Sequence, residues 1–108
     1  MTSKVRQVLA ELHARLKELY GERLVRLVLF GSQARDDASQ DSDIDALVLL
    51  NATVTREVED SVNDCAWEAG LAHGAVVVPV TVSRYDWEEG LLSSSLLAIA
   101  VRQEGITV

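Results

Sequence analysis

Two acidic residues, Asp43 and Asp45, stand two positions apart at the start of an apolar run, Ile44 to Leu50. In an extended strand, side chains two apart leave the same face, so both carboxylates would point one way. Two anions pressed together beside apolar residues repel each other and are costly to desolvate. Hard divalent cations such as Mg²⁺ relieve that cost, because they prefer carboxylate and phosphate oxygens. Ten residues earlier, counted between Ser32 and Asp43, lies Gly31-Ser32 at the end of another apolar run. Glycine lets backbone approach an anion closely. Amides at the start of a following helix, with the Ser32 hydroxyl, can then donate to phosphate. Arg35, one helical turn beyond Ser32, could add a phosphate contact or pair with Asp36 or Asp37. Each motif alone has a plainer reading, as exposed strand-start acids or as a serine-capped turn. Together they describe an anion cradle beside a cation-binding pair.

The elements that must hold these groups follow from periodicity. Val5, Val8, Leu9, Leu12, Leu16 and Leu19 recur at helical spacing and predict an amphipathic helix ending near Gly21. Leu24 to Phe30 predicts a central strand stopped by Gly31. Residues 33–40 predict a short helix or turn, with Ser42 shaping the approach to a strand over Asp43 to Leu50. Thr53 or Thr55 is placed to cap a helix from about Arg56 to Leu71, with Val58, Val62, Cys65, Ala66 and Ala69 on its apolar face and Gly74 at its end. Ala75 to Val82 is strand-like, and Pro79 within it predicts an edge position or a bulge. Ser83 to Glu89 predicts a turn or single helical turn. Leu92, Leu96, Ile99 and Ala100 predict one helix over Leu91 to Glu104, closed by Gly105, and Ile106 to Val108 a last strand.

Helices and strands alternate without repeats, so the expectation is an α/β (α+β) fold: a small mixed β-sheet packed with amphipathic helices, one domain over residues 1–108. The connection between the strands around residues 30 and 43 is too short for a crossover helix, which is why the sheet is expected to be mixed.

Composition narrows the function. The chain of 108 residues is 48% apolar and 25% charged, an ordinary globular balance. Ten basic against 17 acidic residues give a formal charge of −7, and no Lys/Arg cluster marks a nucleic-acid surface. No apolar stretch is long enough for a membrane span, and the N-terminus lacks the apolar block of a signal peptide, so a cytoplasmic location is expected. A single cysteine, Cys65, excludes an intramolecular disulfide and a Cys-based zinc site.

The run from Leu27 to Leu50, with Gly-Ser, ten residues and Asp-x-Asp, resembles the signature of the DNA polymerase β-like nucleotidyltransferases, and in so short a chain their minimal branch. The resemblance implies a nucleotidyltransferase fold. It also implies that Gly31 and Ser32 hold nucleotide phosphates and that Asp43 and Asp45 hold one or two Mg²⁺ ions, with ATP or another nucleoside triphosphate as substrate. Minimal members are commonly antitoxins of helical HEPN-type toxins, so AMP transfer to a hydroxyl on such a partner is the implied activity, with a homo-oligomer as another possible assembly. A non-catalytic module that neutralises the partner by contact, keeping a relic nucleotide site, is the alternative. Family members usually carry a third carboxylate on a later strand. Here Ala75 to Val82 holds no acid, leaving Asp64, Glu68 and Asp86 as candidates that spacing does not separate.

The remaining residues have ordinary explanations. His13 is expected at the surface and His73 near a helix C-terminus, where a cation is favoured. Cys65 fits as a small core residue. Trp67, Tyr85 and Trp87 fit either an interface or partial burial.

Overall fold

The computed structural model describes residues 1–35 and 43–108. The expectations for residues 36–40, for Ser42 and for pairing of Arg35 with Asp36 or Asp37 fall outside the described residues. The elements in chain order are α1 (Ser3–Tyr20), β1 (Leu24–Phe30), α2 (Ser32–Arg35), β2 (Ile44–Leu50), α3 (Arg56–His73), β3 (Val77–Ser83), α4 (Arg84–Glu88), α5 (Leu96–Glu104) and β4 (Ile106–Thr107). Short 3₁₀ turns at Gly21–Arg23 and Leu91–Ser94 precede β1 and α5.

The four strands form one mixed sheet in the order β3-β2-β1-β4. β1 pairs antiparallel with β2 and with β4, whereas β2 and β3 run parallel. The physical reason lies in the connections: α3, 18 residues long, supplies the crossover helix that a parallel pair needs, whereas α2 between β1 and β2 is a single turn of four residues. β3 is an edge strand. The amide of Ile44 donates to the carbonyl of Val76 at 2.9 Å. In a parallel ladder that leaves the odd-numbered positions of β3, Pro79 among them, facing the open edge, where a missing N–H costs nothing.

The sheet separates two packed layers. On one face Leu27, Leu29, Ile44, Ala46, Val48 and Leu50 meet α1 and α3 through Val8, Leu12, Val62 and Ala66. On the other, Val28, Leu47 and Leu49 meet Val82, Trp87, Ala98 and Val101 from β3, α4 and α5. β2 is buried on both faces, which explains its unbroken apolar run. Truncating a fully buried leucine here, such as Leu12, to alanine costs about 2–5 kcal/mol.

Local signals set the helix ends. Thr2, Thr55, Ser83 and Ser95 cap α1, α3, α4 and α5 by accepting backbone N–H bonds three residues on. Gly74 ends α3 in the left-handed region, at φ 65°.

Several expectations need correction. The last predicted helix is two pieces, because Ser95 starts α5 afresh after a 3₁₀ turn and shifts its phase. Ala98 and Val101 therefore face the sheet, while Leu96 and Ile99, expected inward, are exposed. Leu19 is also exposed; Tyr20, four residues after Leu16, continues the stripe of α1 against the core. His13 is half-buried on the flank of that stripe rather than exposed. Of the three aromatic residues left open, Trp87 is buried, and Trp67 and Tyr85 are exposed.

Candidate active site

β1 and β2 lie side by side in opposite directions, so the end of one meets the start of the other. Phe30 pairs with Asp45, which sets Gly31 directly beside the acid pair. Gly31 has φ 76°, a backbone conformation that a side chain disfavours. Its open space is already filled: a β-carbon on Gly31 would collide with Oδ2 of Asp45 and sit 3.3 Å from its Cγ. The glycine is thus required twice, by its dihedral and by the carboxylate against its α-carbon.

The chain then turns into the single helical turn of α2. Ala34 and Arg35 both donate their amides to the carbonyl of Gly31, at 3.1 and 3.3 Å. Ser32, half-buried, opens this turn, and its hydroxyl has no hydrogen-bond partner among the described residues. Gln33, the next residue of the turn, is the only buried polar residue among those described.

Asp45 shares the face of β2 that carries Leu47 and Leu49. Its carboxyl is pushed above the ordinary value, first by burial and then by the Asp43 carboxylate, with the Arg35 guanidinium pulling the other way. Asp43 and Arg35 are therefore both within electrostatic reach of Asp45, and Gly31 packs against Asp45. The strand itself begins one residue later than expected, at Ile44, and Asp43 precedes it as an exposed residue. Arg35 also reaches a residue that sequence reasoning missed. Its Nη1 donates to both carboxylate oxygens of Glu104, at 2.9 and 3.1 Å. Glu104 closes α5, 69 positions away in sequence, and no local spacing could have disclosed it.

The place opposite Asp45 on β3 belongs to Val78, by the parallel register. Registered neighbours share a face, so a valine stands where a third acid would complete the site. None of the three candidates substitutes. Glu68 lies in the helical layer on the other face of the sheet, where it pairs with Arg15 of α1. Asp64 is on the same helix, α3, packed on that face. Asp86 lies beyond the far end of β3, whose last residue, Ser83, is itself five positions past Val78 and so about 17 Å along the strand. Among the described residues no three His, Cys, Asp or Glu side chains converge to hold a metal. His73 ends α3 with Nε2 3.8 Å from Glu11, away from the acid pair.

The sequence matches the family model of the nucleotidyltransferase domain over residues 9–102, and the chain belongs to that family. It is 26% identical over 74 residues to a candidate protein adenylyltransferase of Methanocaldococcus jannaschii, a match covering 68% of this chain and 75% of that protein. A solved candidate minimal nucleotidyltransferase superposes with a TM-score of 0.61 at 27% identity, over 96% of this chain and 95% of that one. A toxin–antitoxin complex with AMP-PNP gives a TM-score of 0.59 at 21% identity, over 89% of this chain and 68% of that one. A tri-AMPylated HEPN toxin of Shewanella oneidensis in complex with its MNT antitoxin gives 0.54 at 21% identity, over 93% and 70%. At 21% identity the last two show a shared fold. No helix of the described residues is long and apolar enough to cross a membrane.

Proposed function

We propose that this chain is a Mg²⁺-dependent nucleotidyltransferase that moves AMP from ATP to a hydroxyl of a partner protein, acting as the antitoxin of a HEPN-type toxin. The observation that carries the reading is the Gly31–Asp45 contact. It joins a turn suited to phosphate to a carboxylate pair in which burial and the Asp43 charge hold the Asp45 carboxyl above its ordinary value. Support for the protein acceptor and the HEPN partner comes from the adenylyltransferase relative and the antitoxin complexes.

The residues fit the metal. Mg²⁺ keeps several waters and is commonly held by one or two carboxylates together with substrate phosphates. Asp43 and Asp45 supply those carboxylates, and the resistance of Asp45 to ionisation is the cost that a divalent ion removes. Bound there, the ion neutralises charge on the phosphates during displacement. Gly31 and Ser32 seat the triphosphate, and Arg35 approaches it from the end of α2. The acceptor oxygen bonds to the α-phosphorus, the bond to the β-phosphate bridge breaks, pyrophosphate departs with the electron pair, and the hydroxyl proton leaves to water.

A second reading has its own observation. Val78 opposite Asp45 removes the third carboxylate that would help activate the hydroxyl, which favours a binding module that silences its partner by contact. Incubation with the product of the adjacent gene, Mg²⁺ and ATP, followed by intact mass, separates the two. One added AMP supports transfer; stoichiometric association without added mass sinks transfer and leaves the binder.

A further inference from the structure

A second cleft, of about 310 Å³, opens on the sheet face that carries α5, and Arg26 of β1 and Arg102 of α5 both line it. Val28, Trp87, Val101, Gly105 and Thr107 complete its walls. Both arginines are exposed, and among the described residues no ion pair joins either to a carboxylate. In a chain of ten basic and 17 acidic residues, two such cations on one small cleft run against the overall balance.

Arg102 is held in place. Its Nη1 donates to the carbonyl of Ser93 at 2.7 Å, and its guanidinium carbon lies 5.6 Å from the centre of the Trp87 ring. A cation fixed in this way loses little freedom when it takes a ligand, and a guanidinium has five N–H donors, so several stay available. Arg26 is two residues from Val28 on β1 and shares its face. The cleft therefore offers two guanidinium groups above an apolar floor of Val28, Val101 and the indole of Trp87. That pairing suits an oxyanion attached to a flat apolar body, in the size range of small-ligand sites. Arg26 lies five positions before Gly31, about 17 Å along the strand, so the Arg26 end of the cleft is set back from the Gly31–Asp45 corner.

We propose that this cleft is a second ligand site, taking a small organic carboxylate or phosphate between Arg26 and Arg102. The proposal does not depend on the nucleotidyltransferase reading. The chain has two tryptophans, and Trp67 is exposed on α3, across the sheet. A Trp67→Phe variant therefore leaves Trp87 as the reporter. Phenyl phosphate and benzoate are titrated against its fluorescence, and the tighter probe identifies the anionic head. The expected result is a saturable change with at least one probe, weakened tenfold or more by Arg26→Gln and by Arg102→Gln, and retained in Asp43→Asn/Asp45→Asn. Arg26→Gln is the decisive variant because the exposed Arg26 side chain makes no hydrogen bond or ion pair among the described residues; its far-UV spectrum must match the parent. No saturable change with either probe, a change that survives Arg26→Gln, or one that vanishes with the aspartate pair would each overturn the proposal.

Discussion

The α-carbon of Gly31 and the carboxylate of Asp45 are so closely packed that no side chain fits between them. The two residues are 14 positions apart in sequence, and the antiparallel register of β1 and β2 brings them together. Gly31→Ala should therefore fail on two counts, by strain at φ 76° and by collision with Asp45. The expected loss of stability is about 1–3 kcal/mol, read from urea unfolding. Loss of Mg·ATP binding by calorimetry should accompany it, and a variant that binds normally would detach the turn from the nucleotide.

Asp45→Asn should stabilise the protein while abolishing Mg·ATP binding. The folded-state carboxyl of Asp45 is raised above 3.8, its ordinary value, so folding disfavours the ionised form. The resulting destabilisation is fully present above the folded pKa, fades as pH falls through it, and is absent below the unfolded value. The melting temperature of Asp45→Asn should exceed that of the parent at neutral pH, and the two should converge at acid pH. Equal melting temperatures at pH 7 would contradict the burial and, after it, the Asp43 repulsion that raise the Asp45 carboxyl.

Arg35 lowers the pKa of Asp45 against the other two influences. Arg35→Gln should thus move the Asp45 titration, followed by carboxyl NMR, further upward. Glu104→Gln should cost little stability, about 0–1 kcal/mol, because the pair it breaks is partly exposed. A downward shift of Asp45 in Arg35→Gln would be inconsistent with this arrangement.

Cys65 is buried on α3. Burial foremost, then Glu68, pushes its thiol above the ordinary value, with Arg15 opposing. Thiol reagents act on the thiolate. Labelling at pH 8 should accordingly be slow in the native protein and fast in urea, and rapid native labelling would argue against this packing.

Much of this protein was legible in the chain. Helical spacing in α1 and α3, a threonine cap at 53 or 55 (the structure selects Thr55), the Gly74 cap and the buried strands follow from short-range rules, because apolar period and capping chemistry act within a few residues. The mixed sheet was legible as well, from the length of the connection between β1 and β2. Periodicity misled where Ser95 reset the phase of α5, leaving Leu96 outside and Ala98 inside.

Residue types and spacing by themselves determined the candidate chemistry, since Gly31-Ser32 and Asp43-x-Asp45 are local patterns. Only the tertiary structure decided what surrounds them. Register placed Val78 opposite Asp45, and the two layers put Glu68 and Asp64 across the sheet from it. The return of α5 brought Glu104 to Arg35 and Arg102 near Arg26. These are long-range contacts, fixed by how strands align and helices pack, and no spacing along the chain encodes them one by one.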